Sequence, residues 1–106
     1  MVRVTVLYPK QEGTHFDFDY YTDKHIPMLG EVAKPFGLER AEVDRAVSGA
    51  DPNADAPYFA LTHLYFRETD GFSLTLRAHR DKLLGDIRNF TDVQPQIVTS
   101  ETHEVL

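Results

Sequence analysis

The chain has 106 residues, near the commonest domain size, and its 42% hydrophobic and 26% charged residues leave no tract polar enough to stay unfolded. It contains no cysteine, which excludes a disulfide framework, a thiolate metal site and a cysteine nucleophile. Seventeen acidic against eleven basic residues give a net charge of -6, which opposes binding to nucleic acid, and no apolar run approaches the roughly 20 residues of a membrane span.

From Val2 to Tyr8 the residues alternate, with Val2, Val4, Val6 and Tyr8 on one side and Arg3, Thr5 and Leu7 on the other, which predicts a first strand. Pro9 removes a ladder donor and ends it, and Lys10 to Thr14 reads as a loop. The period then changes. Phe18, Tyr21, His25, Met28 and Val32 recur at steps of three and four, the stripe of an amphipathic helix. Asp17 or Asp19 would cap it, Pro27 would bend or restart it, and Pro35 with Gly37 would end it.

Residues 38–49 alternate again, Ala41, Val43 and Val47 against Arg40, Glu42 and Asp44, as in a half-exposed strand. Residues 49–57 are rich in turn formers. Tyr58 to Phe66 is apolar in both of its alternating sets, Tyr58, Ala60, Leu64 and Phe66 against Phe59, Leu61 and Tyr65, and predicts a strand buried on both faces. Thr69 or Asp70 would cap a second helix with the stripe Phe72, Leu76, His79 and Leu83, ending before Gly85. Arg77, Arg80 and Lys82 read as its solvated face. A loop from Asp86 to Gln94 precedes a last strand from about Pro95 to Val105.

The order βαββαβ predicts an α+β, ferredoxin-like domain spanning residues 1–106: a four-stranded antiparallel sheet with the first and third strands central and two helices on one face. Two helices cannot cover both faces, and a third strand apolar on both sides would leave an exposed patch that a monomer rarely tolerates. Closure of two such sheets into a homodimeric barrel is the simplest solution. With no apolar leader pattern, the chain is expected in the cytoplasm.

Standard nucleotide, zinc-protease and serine-hydrolase motifs are absent, so the five histidines carry the chemical information. His25 follows Tyr21 by four residues on the apolar stripe of the first helix, which makes the two a candidate catalytic pair. The competing reading is a core histidine satisfied by its neighbours. Tyr8, His63, His79, Asn89 and Asp92 are the candidate substrate-binding residues around an aromatic cavity. No local chelate exists, so no metal or other cofactor is called for; a metal or haem iron would need His25, His63 and His79 to converge.

Two separated blocks carry a family resemblance. Tyr20-Tyr21-Thr22-Asp23-Lys24-His25-Ile26-Pro27-Met28 resembles the YxxKHxPM signature of EthD proteins, and Asp86-Ile87-Arg88-Asn89-Phe90-Thr91-Asp92-Val93-Gln94-Pro95 resembles their DIPNYTDxxP segment, with Arg88 and Phe90 replacing the usual proline and tyrosine. The resemblance implies a dimeric α+β barrel associated with oxidative catabolism, the family taking its name from ethyl tert-butyl ether degradation alongside an oxygenase system. Cousins of the same fold include cofactor-independent monooxygenases, isomerases, cyclases and haem proteins, an analogy at fold level only. The expectation is a protein that binds a small apolar organic compound and assists its conversion by acid/base chemistry at His25, as an oxidoreductase, isomerase or lyase without cofactor. The alternative is a non-catalytic binding or accessory protein for an oxygenase system.

Overall fold

A computed structural model describes all 106 residues. The strands are β1 (Val2–Pro9), β2 (Leu38–Arg45), β3 (Tyr58–Phe66) and β4 (Gln96–Glu101), joined antiparallel in the order β2-β3-β1-β4. β1 and β3 are therefore the central strands. Val2, Val4, Val6 and Tyr8 from β1 and Ala60, Thr62, Leu64 and Phe66 from β3 are buried against the helices. The residues between them on both strands are only half-buried, so the second face of β3 is covered less than its composition predicts.

The first helical segment consists of α1 (Phe18–Tyr20), a π-helical turn (Tyr21–His25) and α2 (Ile26–Ala33), followed by a 3₁₀ turn (Lys34–Phe36). Asp17 caps it by accepting from the Tyr20 N–H at 3.1 Å. The α-helix restarts at Ile26 with Pro27 in its first turn, as the proline predicts. In a regular helix the proline ring would strike the carbonyl of Asp23, four residues back. The wide turn, in which the Ile26 N–H reaches back five residues to the Tyr21 carbonyl, relieves that conflict and lets α2 begin with Pro27 in its first turn. Gly37, at φ +96°, then makes the left-handed stop that a side chain would resist.

α3 (Gly71–Gly85) packs beside α2 and leaves regular helical geometry at His79, whose ring meets Phe36 edge-on. Asp70 occupies its N-cap position without a side-chain capping bond. A 3₁₀ turn (Ile87–Asn89) follows within the expected loop.

Two expected boundaries and one expected face change. β2 ends at Arg45, so Val47 lies beyond it and is 89% exposed, and β4 ends at Glu101 because its outer positions have no neighbouring strand to hold them. Phe59 does not share the face of Leu61 and Tyr65. Tyr8 pairs with Ala60 and Pro9 with Tyr58, so Phe59 is the extra residue of a β-bulge, and its ring turns to stack on Phe16 at 5.7 Å.

Candidate functional site

The helix-covered face of the sheet carries an aromatic cluster centred on Phe90, which is fully buried. Its ring lies 4.7 Å from that of His25, 4.9 Å from Tyr21, 5.5 Å from Phe16 and 5.7 Å from Tyr8.

The π-helical turn sets the relation between Tyr21 and His25. Its wider turn brings residues four apart almost directly above one another, and the two rings stack 5.5 Å apart with planes inclined at 16°. The Tyr21 hydroxyl hydrogen bonds to Thr62 Oγ1 on β3, and burial pushes its pKa up to about 12 even though its hydrogen bonds with Thr62 and Tyr8 favour the phenolate. Tyr21 therefore stays a neutral phenol that supports one face of the imidazole. Tyr8 is held well above its ordinary value, first by burial and then by Tyr21 beside it.

The hydrogen bond that orients His25 comes from Asp86, not Tyr21. His25 Nδ1 donates to Asp86 Oδ2 at 2.8 Å, with the imidazole 7% and the carboxylate 15% exposed. Tyr20 Oη donates to the other carboxylate oxygen at 2.7 Å and Asn89 Nδ2 to the same atom at 3.0 Å. Desolvation opposes the Asp86 charge, but the hydrogen bonds from Asn89, Tyr20 and His25 outweigh it and hold the carboxyl below its ordinary value. For His25 the balance is reversed. Burial lowers its pKa, and Asp86 offsets only part of that, so the ring is neutral at physiological pH with its proton on Nδ1.

Nε2 then carries the lone pair and has no hydrogen-bond partner within the chain. His25 lines a narrow cavity of about 40 Å³ whose other walls include Val6, Tyr8, Leu29, Leu76 and Leu83. An open vestibule of about 500 Å³, lined by Arg88, Asp92 and Gln94 among others, shares Leu84, Ile87, Pro95 and Ile97 with it. The arrangement is a largely buried imidazole base, backed by a carboxylate, beside an apolar slot.

Of the candidates named from sequence, His25, Tyr21 and Tyr8 line this cavity, and Asn89 braces Asp86 beside it. Asp92 stands at the vestibule, bound to the His15 backbone N–H at 3.1 Å and close to its imidazole. His63 and His79 do not join the site. His63 lies on the open face of the sheet, where Nε2 meets Asp44 at 2.9 Å, because its position in β3 alternates with the buried Thr62 and Leu64. His79 sits at the α3 kink against Phe36. The three histidines therefore diverge, and no group of three or more His, Cys, Asp or Glu side chains comes together anywhere in the chain. Asp86 and Tyr20 are the residues that the pattern reading did not select, although both stand at the heads of the two blocks that carried the resemblance.

No helix is long and apolar enough to cross a membrane. No curated protein sequence gives a significant match. Among solved structures, an EthD-like protein from Ralstonia eutropha JMP134 shares 30% identity over 94% of this chain and 89% of its own, with a TM-score of 0.88. An ethyl tert-butyl ether degradation (EthD) family protein from Bacillus halodurans C-125 shares 18% identity over 97% of this chain and 99% of its own, TM-score 0.64. SnoaB, a cofactor-independent oxygenase from Streptomyces nogalater, shares the fold at 11% identity, covering 99% of this chain and 95% of its own, TM-score 0.64. The EthD domain family matches residues 12–94, the stretch that holds His25, Asp86 and their supports, and the chain belongs to that family.

Proposed function

We propose that the protein binds a small, mostly apolar organic compound at the slot beside His25 and moves a proton on it, with His25 Nε2 as the base, in oxidative catabolism. The carrying observation is the His25–Asp86 pair: a buried neutral imidazole, oriented by a carboxylate through Nδ1, on a residue that lines the cavity. The neutral imidazole is available to take a proton from an activated C–H or O–H, and the imidazolium that forms is stabilised by the ionised Asp86 at 2.8 Å. Tyr20 and Asn89 hold Asp86 in place, and Tyr21 and Phe90 hold the ring. The slot alone takes little more than one water's share of about 30 Å³, so the ligand's bulk occupies the vestibule and only its reacting end enters. SnoaB, a cofactor-independent oxygenase of the same fold, is in keeping with an oxidative setting.

The test is deuterium exchange. Small aromatic ketones and phenols incubated with the protein in deuterated buffer are expected to exchange their acidic C–H positions faster with wild type than with His25→Gln, by roughly 10²-fold or more, the usual contribution of a positioned base. Asp86→Asn is expected to lie between them. A folded His25→Gln variant that matched wild type in both ligand binding and exchange would end the proposal, and tight binding without any exchange would identify a carrier or accessory protein for an oxygenase system instead.

A further inference from the structure

A second concave site lies at the end of the sheet and shares no lining residue with the cavity beside His25. Its wall combines Phe16 and Phe18 from the segment entering α1, Tyr58 and Phe59 from the start of β3, and the cations Lys10 and Arg45. The volume is about 200 Å³, below the roughly 300 Å³ at which drug-sized pockets begin, which suits a compound of one ring. The β-bulge creates it. By displacing Phe59 from the strand alternation it stacks that ring on Phe16, with planes 17° apart, and Phe18 continues the floor 6.4 Å from Phe16.

Both cations stand over this floor. Lys10 Nζ is 5.8 Å from the centre of the Phe59 ring, and the Arg45 guanidinium carbon is 5.1 Å from that of Phe18. Neither is within 4.0 Å of a carboxylate, whereas Arg40 and Arg67 each have an acidic partner. No acidic residue lines the pocket. In a chain of net charge -6, two cations thus stand over one aromatic hollow with no carboxylate beside either. Cation–π contact holds the side chains in place but leaves their charge uncompensated.

We propose that this pocket binds a one-ring aromatic carboxylate, its ring on the phenylalanine floor and its carboxylate shared by Lys10 and Arg45. A neutral ring would use the floor alone, and a short aliphatic acid the cations alone. The site stands independently of His25, so failure of one reading leaves the other intact.

Titration of the full chain with benzoate, followed by backbone amide NMR, tests it. Saturable shifts centred on Phe16, Phe18 and Phe59 are expected, with Kd on the order of 1 mM. Benzamide and acetate should each bind about tenfold more weakly. Lys10→Gln and Arg45→Gln should each weaken benzoate about threefold, and Lys10→Arg should retain it. His25→Gln should leave the titration unchanged. The proposal is overturned if benzoate does not saturate, if its shifts centre elsewhere, if benzamide binds as tightly, or if the double Gln variant binds like wild type.

Discussion

At the scale of single residues, the site rests on two opposed shifts. Burial keeps His25 neutral, while three donors keep Asp86 charged, and each state suits the other because a neutral Nδ1–H needs an anionic acceptor. The same shifts fix the response to acid. The folded pKa of His25 lies below its ordinary 6.5, so its contribution to stability is whole above that value and is lost as pH falls from there toward the folded pKa, where the unfolded chain takes up the proton first. Asp86, depressed below 3.8, adds a second loss as pH falls through its own folded value. Melting temperature is therefore expected to decline as pH falls below about 6.5, and His25→Gln to flatten that decline. An equally steep decline in the variant would show that His25 does not titrate as described. Tyr20→Phe removes one of the donors to Asp86, and NMR titration should find the Asp86 pKa raised.

At the scale of elements, the helices are seated by small residues whose importance differs with what surrounds them. A Cβ at Gly71 would lie 2.5 Å from Phe66 Cδ1 and 2.8 Å from the Phe36 carbonyl oxygen, so the start of α3 approaches β3 as closely as it does only without a side chain. Gly71→Ala is expected to cost about 1–3 kcal/mol through overpacking. Gly30, within α2, has nothing within 4 Å of its would-be Cβ, and Gly30→Ala should gain about 0.4–1 kcal/mol by restricting the unfolded chain. Thermal unfolding of the two variants checks both signs, and a stable Gly71→Ala protein would contradict the packing described. These contacts also show what patterns along the chain can and cannot convey. Alternation in β1 and the three-and-four spacing of Tyr21, His25 and Val32 report local geometry, and both elements formed where they pointed. The Phe59 bulge depends on the partner strand, and the His25–Asp86 bond joins residues 61 apart, so neither leaves a periodic trace. The π-helical turn is intermediate, since Pro27 signalled a disturbance without saying that the helix would widen rather than bend.

At the scale of the whole molecule, the chain is a slab with extents of 41 × 39 × 19 Å, one sheet and one helix layer thick. Its radius of gyration of 14.2 Å exceeds the roughly 13 Å of a rounder domain of this length. The open sheet face carries Leu7, Leu61 and Tyr65 half-buried at its centre and Val98 51% exposed. Arg3 Nε on this face is buried without an acceptor within the chain, a donor that another molecule's oxygen would satisfy. Glu42 and Asp44, by contrast, already engage Tyr65 and His63 on the same surface. We propose that a second copy covers the face, giving a four-layer dimer with helices outside and both His25 slots away from the contact. Leu61 faces Leu7 across the β1–β3 pairing and points away from the helix layer, so Leu61→Glu tests the contact without entering the core. Light scattering on a sizing column should give twice the single-chain mass of 12.1 kDa for wild type and 12.1 kDa for the variant, with unchanged circular dichroism, because a carboxylate buried unpaired in the contact beside Leu7 costs several kcal/mol. Wild type at the single-chain mass, or a Leu61→Glu protein that still pairs, would place the partner of this face elsewhere.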